Sequence, residues 1–586
     1  MGICGSSDNG LTWEERWYSP AYRKTLQEFC SEERKEDEDS DESTSIKVLR
    51  GVSKDGEFRN WAATVQTAPA KVFRPRSTEE VQILLAKART ETPMPKIRCM
   101  GSGHSWTPLF ADDGAWLIDT SDMKDLVWSA DENPTQARAS RVTIGPGVTP
   151  AQLATFFDSK SRGKWRGLFL SSDVVLGTVT YGGTINTACH GTGKTQTLPD
   201  YVVSTSFIKS DGTHVTLNRK DDPERFALQI IHFGLLGITT AFTLQLDHDT
   251  YAIKVTDSKL RARNVFLEKD QLPTPGGPNP LLDLWNRTYG VEIFYFAASS
   301  LKITNLHSHE FEDQDWDQYS DICAIKTFDR TENATGKDDD SFFGKDSKTS
   351  TRFDRNFSIT DFLKINVGTE VALPLVAKVG SKPALVSLYA KVAALAFEPA
   401  GDVTGEVSYE TSLGQAIHWQ KYITSGFPVS DTEVCIKCDP DFTSVYKAIH
   451  DAIGIMRSFA EDEDTLPINV AMELRFTKHS DSPLSPAYGT EGDVFCWLEV
   501  LSAVNTPRLK HFNTKVADLW LAIKLKDGSR ATRPHWAKFS ESYVSDANSK
   551  LKEAYADRLP LLQAVSKEFD PNRTFVNDYF AQLFAP

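Results

Sequence analysis

Apolar residues recur at helical spacing early in the chain. Val81, Leu84 and Leu85 would lie on one face of a helix. Ser77 and Glu80 have the spacing of a capping box, in which a hydroxyl and a carboxylate each accept from a backbone N–H group of the first turn. The pattern therefore predicts a helix that begins directly after Ser77.

Other segments alternate between apolar and polar residues. This period of two predicts short strands in four segments, KIRCM, WLIDTSDM, RVTIGPGV and GITTAFTLQLDH. A second helix should follow the third strand, because Thr149 is a good N-cap, Pro150 suits the first helical position and Gln152 completes a second capping box. Up to about Asp249 the chain is therefore a mixture of α and β structure.

Composition limits the class of protein. A chain of 586 residues is too long for one compact core, so two or three domains are expected. Acidic residues exceed basic ones, 80 to 65, which argues against nucleic acid as a partner. There is no run of eighteen apolar residues and no secretory leader. The 8 cysteines are sparse for this length and favour a reducing, cytoplasmic location. Cys435 and Cys438 form a CxxC without a second ligand pair, so no metal site is predicted.

The first residues, MGICGSS, allow two interpretations. Gly2 followed by Ser6 matches an N-myristoylation pattern, and Cys4 could carry a palmitate, which together would hold the protein on the cytosolic face of a membrane. The alternative is an unmodified tail. The charge run at 31–44 has no apolar partner, so residues 1–55 are predicted to be a disordered acidic extension.

The strand KIRCM runs directly into a glycine loop, GSGHSW. Gly101 and Gly103 supply two glycines of a dinucleotide fingerprint, but Trp106 takes the third position and Pro108 opposes a following helix. A Rossmann interpretation therefore fails. The loop could still bind a pyrophosphate, because glycines let backbone N–H groups converge on an anion.

Two more glycine clusters follow, LGTVTYGGTINTACHGTG and FGLLGITTAF. Each single glycine is explained as well by a turn or a bulge. Three clusters in β-rich sequence point instead to backbone that approaches a bulky planar or anionic ligand.

These motifs carry a family resemblance. VFRPRSTEEVQILLAKA, GSGHSW, GGTINTACHGTG and GLLGITTAFTL resemble the FAD-binding domain of the vanillyl-alcohol oxidase superfamily. MELRFTKHSDSPLSPAYG, RPHWAK and FDPNRTFVNDYF resemble its sugar-lactone oxidase branch, which contains L-gulonolactone, D-arabinonolactone and alditol oxidases. The resemblance covers most of 58–250 and 465–586.

The resemblance implies an α+β fold of two domains. A PCMH-type FAD-binding domain would span 56–250, and an antiparallel-sheet substrate or cap domain would span 251–538. The segment 539–586 would return to the FAD domain. A polar insert at 331–356 is predicted to be a loop.

The resemblance also implies the flavin contacts. In this branch the histidine of the glycine loop bonds covalently to the 8α-methyl group of FAD, and here that residue is His104. No cysteine precedes the second cluster, in SSDVVLG, so a single covalent bond is expected, and Cys189 is interpreted as a packed small residue. The residues expected to bind the cofactor are Gly101, Ser102, Gly103, His104, Ser105, Gly177, Gly183, Thr184, Gly191, Gly237 and Ile238.

Three residues are expected to act on the substrate. Glu473 and Arg475 are two positions apart in a predicted strand and so share a face, although such a pair is more often on the surface. By resemblance, Glu473 would bind substrate hydroxyls, while Arg475 and Lys538 would polarise the reacting C–OH group and stabilise charge. His535 could be catalytic or orienting.

The sequence departs from the alditol oxidase pattern at two positions that bear on the substrate. Alditol oxidases carry a histidine and, two residues on, a threonine in the strand after LSPAYG, where a count without gaps finds Cys496 and Leu498. A linear polyol is therefore disfavoured.

The predicted reaction is oxidation of a CH–OH group of a small molecule. A sugar 1,4-lactone is the family default for the substrate, and oxygen or another compound would accept the electrons. The alternatives are an oxidase or dehydrogenase for a polyol or hydroxylated natural product, and a lipid-anchored flavin-binding scaffold without turnover. Retention of Glu473, Arg475 and Lys538 speaks against the scaffold.

Overall fold

The computed structural model describes most of the chain from residue 56 onwards. The described residues are 56–128, 141–160, 170–247, 252–302, 316–331, 381–395, 406–411, 416–417 and 429–585. The predictions for residues 1–55, including Gly2, Cys4 and the charge run at 31–44, lie outside the described residues. Thr331, the first residue of the predicted 331–356 loop, ends a strand, and the rest of that segment also lies outside them.

Both predicted helices form. Ser77 caps the first one by accepting a hydrogen bond from the Glu80 backbone N–H at 3.3 Å, while the Glu80 carboxylate accepts from Arg76 N rather than from the cap itself. The second capping box is complete, because Thr149 Oγ1 accepts from Gln152 N at 3.3 Å and Gln152 Oε1 accepts from Thr149 N at 3.1 Å. Local sequence thus fixes where both helices begin.

The helices are numbered here in chain order. They are α1 (Thr78–Thr90), α2 (Pro150–Lys160), α3 (Tyr181–Asn186), α4 (Pro223–Gln229), α5 (Arg263–Phe266), α6 (Pro280–Arg287), α7 (Pro383–Leu395), α8 (Thr443–Glu463), α9 (Leu509–Ala522), α10 (Ala547–Ala554), α11 (Leu559–Phe569) and α12 (Asp578–Leu583). In the described part of the chain, no helix is long and apolar enough to cross a membrane.

The first part of the described chain builds three small sheets. Their strands are β1 (Phe58–Arg59), β2 (Gln66–Thr67), β3 (Lys71–Phe73), β4 (Ile97–Met100), β5 (Trp116–Asp119), β6 (Leu126–Trp128), β7 (Arg141–Ile144), β8 (Val202–Ile208), β9 (His214–Asn218) and β10 (Ile238–Gln245). Strands β3, β5 and β4 pair in parallel, whereas β6, β7, β10, β8 and β9 form an antiparallel sheet in that order. All four strand segments predicted from alternation are confirmed.

The second part builds one eight-stranded antiparallel sheet, in the order β14-β11-β13-β12-β16-β17-β15-β18. Its strands are β11 (Ala252–Arg261), β12 (Gly290–Phe296), β13 (Ile322–Thr331), β14 (Glu406–Thr411), β15 (Val429–Lys437), β16 (Ala471–Lys478), β17 (Val494–Ala503) and β18 (Thr532–Pro534). The α+β class with an antiparallel-sheet second domain is thereby confirmed. The boundaries at 55, 250 and 538 stay predictions.

The two faces of the large sheet differ in polarity. In β16, Met472, Leu474 and Phe476 pack into the hydrophobic core that helices α8 and α9 cover. Since successive strand residues point to opposite faces, Glu473 and Arg475 lie on the other face. This second face is called the polar face below.

The C-terminal helices pack against the first part of the chain. Residues of α10, α11 and α12, such as Leu551, Leu562 and Phe580, share a core with β7 and β10. Arg98 in β4 reinforces this join by donating to Leu109 O, Phe233 O and Phe575 O at 2.6–2.9 Å. This packing keeps the glycine loop after β4 close to the C-terminal segment.

Candidate active site

Arg475 is the centre of the polar face. Its Nε donates to Glu473 Oε1 at 2.7 Å, and its Nη2 lies 3.3 Å from Glu499 Oε1. Glu292, on the neighbouring strand β12, lies 3.7 Å from Nε. Glu473 is 1% and Arg475 7% exposed. The two are therefore a buried pair and not a surface pair.

Lys538 reaches the same group of side chains from a loop. Its Nζ lies 2.6 Å from Glu499 Oε2, 2.9 Å from Asp431 Oδ2 and 3.3 Å from Glu433 Oε2. Glu499 therefore bridges Lys538 and Arg475. The structure brings the three residues expected to act on the substrate into one cluster.

Sequence reasoning missed four carboxylates of this cluster. They are Glu292, Asp431, Glu433 and Glu499. The available signal was the period of two in VSDTEVCIK and VFCWLEVLSA, in which acidic residues occur at positions that alternate with core residues. Their convergence depends on the pairing of β12, β15, β16 and β17, which a single strand does not reveal.

Two histidines lie beside the cluster. His190, from the second glycine cluster, stands with Nε2 2.8 Å from Glu433 Oε1. His535 is fully buried, its backbone N–H donates to Glu433 O at 3.0 Å, and its Nδ1 accepts from Ala537 N at 3.2 Å. Burial lowers the pKa of His535 to about 3, so this imidazole is neutral. His535 O also accepts from Lys538 N at 3.2 Å, so His535 and Lys538 belong to the same turn.

Burial and charge act in opposite directions on the carboxyl groups. Burial raises the pKa of Glu473 and of Asp431 well above the ordinary values. Burial opposes ionisation of Glu499 as well, but Lys538 and Arg475 outweigh it and lower its pKa to about 2. Glu499 is therefore the ionised bridge between the two cations.

The two cations keep their charge. Burial alone would lower the pKa of Lys538, but Asp431, Glu433 and Glu499 raise it well above its ordinary value. Glu473 and Glu499 likewise raise the pKa of Arg475 against the effect of burial. Two fixed positive charges thus stand in a nearly dry environment, where they act strongly on a charge that develops nearby.

The glycine loop and the second glycine cluster meet. A Cβ on Gly101 would lie 1.9 Å from Thr180 Oγ1, and Gly183 faces the same hydroxyl at 3.6 Å. Ser102 Oγ donates to Thr178 O at 3.3 Å. Gly103 has φ +69° and open space around its missing side chain, so it is free to face a ligand.

Two of the other predicted cofactor residues are glycines that close backbone packing requires. A Cβ on Gly191 would meet Asp173 O at 2.3 Å, and one on Gly237 would meet Ile208 O at 2.4 Å. Both glycines are thus required by close backbone packing. The same holds for Gly145 and Gly147, which sequence reasoning missed and whose Cβ atoms would meet Met123 O and Thr120 O.

The remaining predicted cofactor residues line the same segments. Gly177 O accepts from Ala151 N at 3.0 Å, and Thr184 Oγ1 donates to Thr180 O at 3.2 Å. Ile238 is the buried first residue of β10, and Ser105 Oγ donates to Thr107 O at 2.8 Å.

His104 is half-buried and stacks on Trp61, with the ring centroids 4.9 Å apart. The surrounding protein lowers its pKa to about 4 by desolvation, so the imidazole is neutral at physiological pH. Next to it, Trp106 Nε1 donates to Val429 O at 2.8 Å and Trp106 N donates to Ala537 O at 2.9 Å. The loop that carries His104 is thereby bound to strand β15 and to the segment that carries Lys538.

The positions inferred for substrate selection need a correction. Cys496 and Leu498 lie in the hydrophobic core, on the opposite face from Glu473 and Arg475. On β17, Trp497 lies opposite Arg475 and Glu499 lies opposite Glu473. Cys496 and Leu498 therefore do not line the polar face, because successive residues of β17 point to opposite faces of the sheet.

The residues around the glycine loop fit a bound FAD. Among the described residues, the buried Thr180 hydroxyl has no hydrogen-bond partner, and it lies between Gly101 and Gly183. Backbone without side chains and an unpaired hydroxyl suit a phosphate-bearing ligand.

Comparisons with known proteins agree with this geometry. Residues 69–218 match the model of an FAD-binding domain, and residues 441–583 match that of D-arabinono-1,4-lactone oxidase. Bovine L-gulonolactone oxidase is 30% identical over 189 residues, which are 32% of this chain and 40% of that protein. The L-galactono-1,4-lactone dehydrogenase of Arabidopsis thaliana is 22% identical over 90% of this chain and 80% of its own length.

Solved structures show the same fold. Cholesterol oxidase from B. sterolicum superposes with a TM-score of 0.64 at 15% identity, over 92% of this chain and 100% of that chain. The chain shares this fold, and its residues 69–218 match an FAD-binding domain. The match of its C-terminal segment to D-arabinono-1,4-lactone oxidase agrees with the resemblance of the motifs to the sugar-lactone oxidase branch. The alignment with bovine L-gulonolactone oxidase spans about 40% of that relative's length.

Proposed function

We propose that the protein is an FAD-dependent oxidoreductase that oxidises a CH–OH group of a sugar 1,4-lactone and passes the electrons to oxygen. The observation that carries this proposal is the arrangement of Arg475, Glu499 and Lys538 in one buried cluster. The relatives named as lactone oxidases and dehydrogenases support the same substrate class.

The cluster suits alcohol oxidation. FAD, when bound, supplies the hydride acceptor. Glu473 binds a substrate hydroxyl in this proposal, while Arg475 and Lys538 polarise the reacting C–OH group and stabilise the negative charge that follows. The ionised Glu499 lies between both cations and fixes their separation. Prearranged charges of this kind need no reorganisation during the reaction.

We also propose that His104 forms the covalent bond to FAD. A neutral imidazole has a free lone pair, and the lowered pKa of His104 keeps it neutral. Its stacking on Trp61 restricts the ring to one orientation. Gly103 beside it leaves space for a planar ligand to approach.

There is a second candidate for the electron acceptor, and the substrate class has to be chosen among several alcohols. Two plant relatives that align over 90% of this chain are named dehydrogenases, which favours an acceptor other than oxygen as the second candidate. Trp497 and Glu499 occupy the strand positions that face Arg475 and Glu473. The relatives named as lactone oxidases or dehydrogenases favour a cyclic lactone over a linear polyol or another hydroxylated compound.

A turnover screen tests this function. Purified holoenzyme is offered aldonolactones, linear polyols and aromatic alcohols, each with oxygen or with an artificial electron acceptor. The proposal expects turnover with a 1,4-lactone and hydrogen peroxide formation in air. Turnover only with the artificial acceptor would identify a dehydrogenase, and turnover only with a polyol or an aromatic alcohol would contradict the lactone.

We propose a cellular location from the N-terminal sequence MGICGSS. Acylation of Gly2 and Cys4 would place the protein at the cytosolic face of a membrane, since two acyl chains hold firmly where one does not. The acidic segment at 31–44 would then act as a tether that an anionic leaflet repels.

A further inference from the structure

His190 faces an acceptor with each ring nitrogen. Nδ1 lies 3.0 Å from Gly191 O, and Nε2 lies 2.8 Å from Glu433 Oε1. A carbonyl oxygen can only accept, so Nδ1 carries a proton. A second proton must lie between Nε2 and the Glu433 carboxylate, because two acceptors cannot form a hydrogen bond without one.

The surroundings favour a positive charge on this imidazole. The ring stacks on Trp497 with the centroids 3.7 Å apart and an angle of 5° between the planes. An indole face attracts a cation. Trp497 is itself fixed, because its Nε1 donates to Thr477 Oγ1 at 2.9 Å. The other histidine beside Glu433, His535, is neutral and lies 4.0 Å from Glu433 Oε2.

We propose that His190 and Glu433 form a buried ion pair that positions Lys538, an inference that rests on the proposed function of that lysine. Glu433 uses Oε1 for His190, while its Oε2 lies 3.3 Å from Lys538 Nζ. With Glu433 balanced by His190, the ammonium of Lys538 turns to Glu499, at 2.6 Å. Both residues are positioning residues, because they act through the lysine.

Removal of His190 alone should slow flavin reduction more than removal of both partners. In His190→Gln, the unbalanced Glu433 draws Lys538 away from Glu499, so flavin reduction should slow roughly a hundredfold, the usual effect of a small misplacement. In Glu433→Gln, Lys538 loses one of its carboxylate neighbours and the rate should fall about tenfold. The double variant His190→Gln/Glu433→Gln should recover to about the tenfold level, since no unbalanced charge remains.

The experiment measures anaerobic flavin reduction in the three holoenzymes, expressed per bound flavin. A double variant faster than His190→Gln supports the ion pair. A double variant as slow as His190→Gln, or slower, overturns it. Asp321→Asn serves as the control, because it removes a buried carboxylate that accepts from Tyr295 Oη and Trp316 Nε1 on the core side of the large sheet, away from the polar face, and should leave the reduction rate unchanged.

A second measurement does not depend on substrate or on the stability of His190→Gln. Nitrogen NMR of histidine-labelled holoenzyme should show one imidazole with protons on both nitrogens, and Glu433→Gln should convert it to the neutral form. A neutral His190 in the wild-type protein would overturn the proposal. This outcome is separate from a failure of the proposed function, which would appear as flavin that no CH–OH donor reduces.

Discussion

Replacement of Lys538 by methionine removes the ammonium that three buried carboxylates share. Asp431, Glu433 and Glu499 are 3%, 0% and 2% exposed, so water does not replace the lost charge. The pKa of Glu499 is lowered from 4.5 to about 2, and this difference multiplied by about 1.4 kcal/mol per pH unit gives about 3 kcal/mol. Arg475 contributes part of it. We expect Lys538→Met to lose about 2 kcal/mol of unfolding free energy at neutral pH.

The lowered pKa of Glu499 also determines how the stability difference between the two proteins varies with pH. A carboxylate with a lowered pKa stabilises the fold above its unfolded value of 4.5, and the contribution is lost as the pH falls toward about 2. The difference between wild type and Lys538→Met should therefore be largest above pH 4.5 and narrow at lower pH. Urea unfolding followed by tryptophan fluorescence, at neutral pH and at about pH 3, measures it.

Lys437, at the end of strand β15, provides a control for the loss of a paired lysine. Lys437 pairs with Asp493 at 2.7 Å, but the two side chains are 33% and 18% exposed. Lys437→Met should cost less than about 1 kcal/mol, as partly exposed pairs do. Equal stability of Lys538→Met and wild type at neutral pH would refute the reasoning, as would a difference that widens on acidification.

Three further predictions follow from other parts of the molecule. His104→Ala should abolish the flavin fluorescence of the denatured protein on a gel, and a wild-type protein that releases all its flavin on denaturation would contradict the covalent bond. Gly101→Ala should weaken FAD retention because its Cβ would lie 1.9 Å from Thr180 Oγ1, and Thr180→Ala should partly restore it, since the Thr180 Cβ lies 3.2 Å away; equal retention by Gly101→Ala and wild type would argue against this contact. Fractionation of a eukaryotic host should show membrane residence that depends on both Gly2 and Cys4 and resists salt, and a wholly soluble wild type would leave residues 1–55 as an unmodified extension.

Local chemistry made the first elements predictable. Ser77 and Thr149 cap their helices where the sequence places them, because a cap depends on residues within one turn. The shared face of Glu473 and Arg475 follows from the period of two in a single strand.

Long-range pairing explains what the sequence did not show. Glu433 and Glu499 join the cluster because β15 pairs with β17 at that register, and His190 arrives from a segment 243 residues away. Cys496 and Leu498 lie outside the site because they point to the core face of β17, and the spacing from LSPAYG alone does not reveal which face a residue takes. Gly237 resembled a ligand-facing glycine, yet close approach to Ile208 already requires it.

In the proposed function, the polar face of the large sheet is the site of oxidation. Anaerobic rapid mixing of the holoenzyme with an aldonolactone tests it most directly, with Arg475→Ala as the variant and the exposed Arg287→Ala, on helix α6, as the control. Wild type and Arg287→Ala should lose the oxidised-flavin absorption at the same rate, and Arg475→Ala should be slower by roughly a hundredfold or more. Reduction of Arg475→Ala at the wild-type rate would contradict the account.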